Sequence, residues 1–201
     1  MTDKYLTISS PSQGLYREKG SRFIAFAYPV YSENGIKQHL QELKKKYYDA
    51  RHHCYAYRLG VTGELWRAVD DGEPSGSAGK PVLGQLLSNN LTNTVVFVVR
   101  YFGGIKLGVP GLINAYRSAA ADSIQNAEII EKEDKDSFSI EFNYAVMNDV
   151  MKIIKEEQPE TVKQEFDSVC RIELRIRRSL SEILKNKFLK IETVSLNGEQ
   201  L

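Results

Sequence analysis

Apolar positions recur along this chain in two rhythms, and the switches between them mark out the elements. Ile24, Phe26 and Tyr28 alternate with Phe23, Ala25 and Ala27, which predicts a strand over 21–28 that is buried on both faces. Gly20 separates it from a first strand over 14–19, and Pro29 ends it. Ile36, Leu40, Leu43 and Tyr47 repeat at i, i+4, i+7 and i+11, one face of a helix. The run Lys44-Lys45-Lys46 falls elsewhere on that helix and reads as solvated charge favourable at its C-terminal end. Residues 52–59 and 64–70 read as strands joined at Gly60-Val61-Thr62-Gly63. A short helix is predicted over 81–87. The segment 94–101 (Thr-Val-Val-Phe-Val-Val-Arg-Tyr) lacks alternation and is expected to be central, covered on both faces. Leu112, Ile113, Tyr116, Ala119, Ala120, Ile124 and Ala127 then form a helix whose small residues permit close packing. The order is ββαββαβα over 14–127, with residues 1–13 as an arm.

Six consecutive charges, Glu131 to Asp136, break the pattern and predict a domain boundary, with domains over 1–130 and 131–201. Beyond it come an alternating strand (Phe138, Ile140, Phe142) and a helix over 146–157. Two strands follow, over 161–166 and 169–177, turning at Asp167-Ser168. A helix over 181–188 and a last strand over 189–196 complete the domain. The order βαββαβ is the split βαβ, ferredoxin-like plan. The fold class is therefore α+β in both halves. Arg171, Glu173, Arg175 and Arg177 face away from Ile172, Leu174 and Ile176. That mixed-charge face lacks the aromatic signature of an RNA-recognition motif; it reads as solvated, with contact to a protein or a ribosomal RNA backbone as the alternative.

Composition narrows the class without deciding it. The chain has 201 residues, 42% hydrophobic and 26% charged, which is ordinary globular usage. Net charge is +1, with 15 basic against 12 acidic residues over 1–131 and 12 against 14 over 132–201. Neither half is the strongly basic domain of a dedicated DNA binder, so any nucleic-acid contact must be a local patch. Two distant cysteines, Cys54 and Cys170, argue against a disulfide scaffold and fit a reducing cytoplasm. The longest apolar run, residues 23–28, is far short of the ~20 residues that span a bilayer. The start of the chain carries no secretory pattern. The expectation is a cytoplasmic protein with no membrane partner.

Two glycine-rich stretches carry the candidate chemistry. The first runs from Asp70 to Pro81 (Asp-Asp-Gly-Glu-Pro-Ser-Gly-Ser-Ala-Gly-Lys-Pro), where turn formers exclude regular structure. It is not a P-loop: Pro74 stands where the first glycine is needed and Pro81 follows Gly79-Lys80. Asp70, Asp71 and Glu73 could ligate a divalent cation. Ser75 or Ser77 could cap the helix at Pro81, and the favoured reading is an ordered turn in which the carboxylates accept backbone N–H bonds, with no metal or cofactor. The second stretch, 101–111, leaves a buried strand and enters a helix near Pro110, read as its first position. Helix N-termini favour anions, Arg100, Lys106 and Arg117 are close by, and Tyr101 and Phe102 can stack on a base; the alternative is a tight strand–helix turn whose glycines only allow close packing. Lys80, Arg100, Tyr101, Gly103, Gly104 and Lys106 are the candidate nucleic-acid or anion-binding residues. An alternative is a hydrolase or transferase with Cys54 as nucleophile, His53 as base and Asp71 as orienter. Trp66 reads as core or as an anchor facing a partner.

These stretches also carry a resemblance. His53-Cys54-Tyr55-Ala56-Tyr57, Asp70 to Pro81 and Arg100 to Gly108 resemble the signature of the Impact/YigZ family, with Ser77 where threonine is equally acceptable. The resemblance covers residues 14–127. The following βαββαβ domain resembles the companion domain of bacterial members, itself similar to domain V of elongation factor G. The resemblance implies a first domain with the fold of the second domain of small-subunit ribosomal protein five. Eukaryotic relatives regulate translation by competing for the activator of a starvation-response kinase. Bacteria lack that kinase system, so the partner does not carry over, and no catalytic set maps onto this chain. The implied function is a non-enzymatic translation-associated binder, with RNA, the ribosome or a translation-associated protein as partner and the two loops forming one cleft.

Overall fold

The structure is a computed structural model that describes residues 3–197. Residues 1–2 and 198–201, the outer ends of the two expected domains, lie outside the described residues. The chain divides into two compact units, one of Tyr5–Lys132 and the other of residues 3–4 and 133–197.

The first unit holds a five-stranded antiparallel sheet. Its elements are β2 (Ser12–Glu18), β3 (Ser21–Pro29), α1 (Glu33–Lys46), β4 (His52–Leu59), β5 (Leu65–Val69), α2 (Gly79–Ser88), β6 (Thr94–Tyr101) and α3 (Gly108–Gln125). The order across the sheet is β2-β3-β6-β4-β5. β6 is central because only a strand with neighbours on both edges and layers on both faces buries its unbroken apolar run, Val95 to Val99, on both sides. Val96 and Val98 join Phe23, Cys54, Val82, Leu86 and Ala119 under α2 and α3. Val95, Phe97 and Val99 join Phe26, Tyr57, Ile36 and Leu43 under α1. The expected arm over 1–13 is instead β1 (Lys4–Ile8), paired with β7 (Ile129–Glu133) in a two-stranded sheet, followed by the start of β2. Ile8 is fully buried, which an arm would not achieve. Trp66 is 58% exposed and is not core.

Alanines on α3 let it close on β2, and Gly14 meets it backbone to backbone. A Cβ at Gly14 would stand 2.3 Å from the Ser123 amide nitrogen. The outer edge of β2 is sealed by the same helix: Leu15 N–H donates to Asp122 Oδ2 at 2.8 Å, and Asn126 Nδ2 to the Gln13 carbonyl at 2.9 Å. Gly14→Ala is therefore expected to destabilise the protein by about 1–3 kcal/mol, the usual range for overpacking. The check is the midpoint of urea unfolding, and an unchanged midpoint would show that α3 can lift away at no cost.

The second unit comprises β8 (Lys135–Phe142), a single 3-10 turn (Tyr144–Val146), α4 (Met147–Glu157), β9 (Glu160–Phe166), β10 (Cys170–Arg177), α5 (Arg178–Phe188) and β11 (Ser195–Asn197). The order β11-β8-β10-β9, antiparallel throughout, is the split βαβ arrangement. Phe138, Ile140, Phe142, Ile172 and Leu174 pack under Val150, Leu184 and Phe188. The last strand is three residues rather than eight. Turn bonds close around Leu189–Val194 and Thr193 takes φ +73°, so Ile191 and Val194 reach the core without a ladder. On the open face, Arg171 pairs with Glu141 and Arg175 with Glu160, which answers the arginine charge within the sheet.

Candidate functional site

Asp70 organises the first loop. Its carboxylate accepts the backbone N–H groups of Gly76, Ala78 and Gly79 at 2.7, 3.1 and 2.8 Å. Burial alone would raise its pKa. The three amides outweigh burial and hold it below the ordinary value. Two of those amides open α2, so Asp70 caps that helix from a distance. The cap expected from Ser75 or Ser77 is not made: Ser77 Oγ donates to the Pro74 carbonyl at 2.6 Å.

The other two carboxylates are equally committed. Asp71, at φ +44°, accepts the His53 amide on Oδ2 at 2.7 Å. Its carbonyl receives His52 Nδ1 at 2.9 Å, and Lys44 Nζ lies 3.9 Å from Oδ1. Glu73 accepts Arg100 Nη1 at 2.5 Å and the Tyr116 hydroxyl at 2.8 Å, and both charged side chains are more than nine-tenths buried. Among the described residues no group of three His, Cys, Asp or Glu is placed to hold a metal ion.

The alternative catalytic set does not assemble. Cys54 is fully buried beneath α2 and α3, its thiol donating to the Asp70 carbonyl at 2.9 Å and lying 3.3 Å from Tyr116 Oη. Burial pushes that thiol well up, neighbouring carboxylates add to the effect, and the Tyr116 hydrogen bond only partly opposes it. A thiol so held is not a nucleophile. His53 is the next residue of β4, so its ring lies on the opposite face of the sheet. Burial, partly opposed by Asp71, lowers its pKa, and Nε2 is buried with no hydrogen-bond partner among the described residues. Asp71 meets the His53 backbone rather than its ring.

The two glycine loops border one cleft of about 800 Å³. Glu73 and Pro74 come from the first loop, and Tyr101, Phe102, Lys106 and Val109 from the second. Of the candidate anion-binding residues, Lys106 is exposed and has no ion-pair partner among the described residues. Arg100 also lines the cleft, but its charge is answered by Glu73. Its guanidinium lies 5.7 Å from the Phe102 ring centroid, and its Nε has no hydrogen-bond partner among the described residues. Tyr101 donates to Asp49 Oδ1 at 2.6 Å, and that bond, with burial, pushes its pKa up to about 12. Gly103 and Gly104 shape the loop. A Cβ on Gly103 would stand 2.0 Å from the Gly20 carbonyl carbon, and Gly104 sits at φ +88°. Lys80 is exposed on α2 beside Gly76 and does not line the cleft.

The helix α3 begins at Gly108, so Pro110 is its third residue rather than its first, and no side chain caps its N-terminus. Arg51 and His52, which sequence reasoning missed, also line the cleft. No sequence signal marks them: Arg51 precedes β4, and His52 reaches the cleft through the β4–β6 register that sets it opposite Arg100. Arg51 is exposed and, like Lys106, has no ion-pair partner among the described residues. The result is a concave, largely apolar site with two free cations and a few fixed acceptors.

Fold and cleft together describe a five-stranded α+β unit with a half-buried acidic loop, in a chain that also carries a split βαβ unit. The model of the Impact N-terminal domain matches residues 19–124. The chain is 37% identical over 133 residues to the IMPACT family member YvyE of Bacillus subtilis, covering 66% of this chain and 61% of that one. It is 30% identical over 171 residues to an IMPACT family member of Haemophilus influenzae, covering 84% and 83%. A crystal structure of a hypothetical protein matches along the whole of both chains with a TM-score of 0.72 at 23% identity, a likeness of fold. The chain belongs to the IMPACT family. Among its described residues no helix is long and apolar enough to cross a membrane.

Proposed function

We propose that this protein is a non-enzymatic, cytoplasmic, translation-associated binder that takes RNA, free or on the ribosome, in the cleft between the two glycine loops. The observation that carries this reading is the pairing of two uncompensated cations, Arg51 and Lys106, with the 57% exposed ring of Phe102 in one concave site. The uncapped start of α3 adds partial positive charge at the same place. The folds that the family resemblance implies for the two units, those of ribosomal protein five and elongation factor G domain V, would fit a translational setting by analogy of fold alone. The role of eukaryotic relatives as translation regulators fits the same setting. A translation-associated protein in place of RNA is the second reading, motivated by those same relatives.

The test is binding of a labelled RNA oligonucleotide at several salt concentrations. Reversing both charges, Arg51→Glu with Lys106→Glu, is expected to weaken binding at least about tenfold and flatten its salt dependence. Lys37→Glu, exposed on α1 away from the cleft lining, leaves both unchanged. Unaltered affinity and salt slope in the double variant would place the RNA elsewhere. A cellular partner recovered equally well after ribonuclease treatment would favour the protein reading.

A further inference from the structure

We infer that the cleft receives a single-stranded nucleotide with its base unstacked, rather than a duplex or a bare anion; this rests on the RNA-binding reading above. The mixture of groups in the cleft is the reason. Arg51 and Lys106 offer charge to a phosphate. Asp49 shares the cleft, with one carboxylate oxygen taking the Tyr101 hydroxyl, and Glu73 lines it while paired to Arg100. These carboxylates oppose a simple anion. The second carboxylate oxygen of Asp49 is an acceptor for the N–H groups of a base edge.

His52 sharpens the point. A carbonyl only accepts, so the contact of Nδ1 with the Asp71 carbonyl places the proton on Nδ1. In the neutral ring Nε2 is then an acceptor, and it has no hydrogen-bond partner among the described residues. A phosphodiester cannot donate to it, whereas a base N–H or a ribose hydroxyl can. Phe102, more than half exposed on the wall, offers the stacking face. A volume of about 800 Å³ lies in the range of small-ligand pockets. The bases of a duplex are already stacked and paired, so they cannot reach Phe102.

The experiment uses the full chain and fluorescence anisotropy of a labelled eight-residue uridine oligonucleotide, titrated across salt. Two phosphate contacts on a single strand predict a salt slope of about −1.4. Lys106→Gln is expected to reduce its magnitude by about 0.7. Phe102→Ala is expected to weaken binding about tenfold without changing the slope, and Phe102→Trp to restore it. Uridine monophosphate should displace the oligonucleotide, and inorganic phosphate at the same concentration should not. Duplex of the same length binding as tightly, a neutral Phe102→Ala, or equal displacement by phosphate would each overturn the inference while leaving RNA binding intact. Absence of salt-dependent binding by any RNA would overturn the underlying reading as well. Phe102 is exposed, so its variants are expected to keep the native far-UV circular dichroism spectrum, and loss of that spectrum would contradict the surface role given to it.

Discussion

Glu73→Ala is expected to lower the unfolding free energy by about 3–5 kcal/mol, the range for breaking a buried ion pair by removing one partner. The Glu73 side chain is 4% exposed and that of Arg100 9%. Arg100 cannot shed its charge, so removing Glu73 leaves a buried guanidinium with no counter-charge. The Tyr116 hydroxyl loses its acceptor at the same time. The control is Glu73→Leu combined with Arg100→Met, which removes both charges. It is expected to cost less than Glu73→Ala alone, because the desolvation penalty disappears with the pair. Urea unfolding at constant m-value measures both. If the double variant were as unstable as the sum of the single ones, the pair would be contributing through packing and not through compensated charge.

Asp70→Ala is the second large effect, a loss of about 3 kcal/mol. Hydrogen bonds to a charged group contribute roughly 1.5–3 kcal/mol each, but three amides sharing two oxygens do not add fully. Without the carboxylate, the Gly76, Ala78 and Gly79 amides lose their acceptor and α2 loses the side-chain cap at its N-terminus. The effect also has a pH signature. The folded pKa of Asp70 lies below its ordinary value of 3.8, so its contribution is fully present above that value. It is lost as pH falls through the depressed folded value. Wild type should therefore lose stability with falling acid pH more steeply than Asp70→Asn. Parallel pH profiles for the two proteins would show that the carboxylate is not the group holding the loop.

Much of the fold was legible because its signals are local and repeated. The uninterrupted β6, the double alternation of β3 and the heptad-like face of α1 each spread over many residues, and tertiary packing had no reason to override them. The misses have local causes too. The strand β1 is short and its partner β7 lies more than a hundred residues away, so no pattern announces the pairing. The apolar residues after α5 read as strand, but they fill the core from a turn.

The site was legible only in outline. The glycine and proline content of 70–81 and 101–111 marks two irregular segments, and both border the cleft. Composition does not reveal which charges are consumed. Arg100 looked like a ligand for an anion until the chain brought Glu73, 27 residues earlier, against it. Lys106 and Arg51 differ from it only in lacking such a partner among the described residues. Alternation on β4 already separated His53 from Cys54, and the structure adds the burial that silences the thiol. His52 was visible as a residue and invisible as a site member, because its place depends on the register between β4 and β6.

The polar chain from Asp70 through Cys54, Tyr116 and Glu73 to Arg100 ties a loop, two strands and a helix into one object. Its history is constrained accordingly. A lineage that changes Tyr116, Glu73 or Arg100 strands the group beside it, so those replacements are accessible in concert or through a temporarily weakened intermediate, whereas Asp70 takes part through its backbone carbonyl. Lys106 and Arg51 carry no such debt. The rim can drift toward a new ligand one residue at a time while the scaffold beneath it stays fixed.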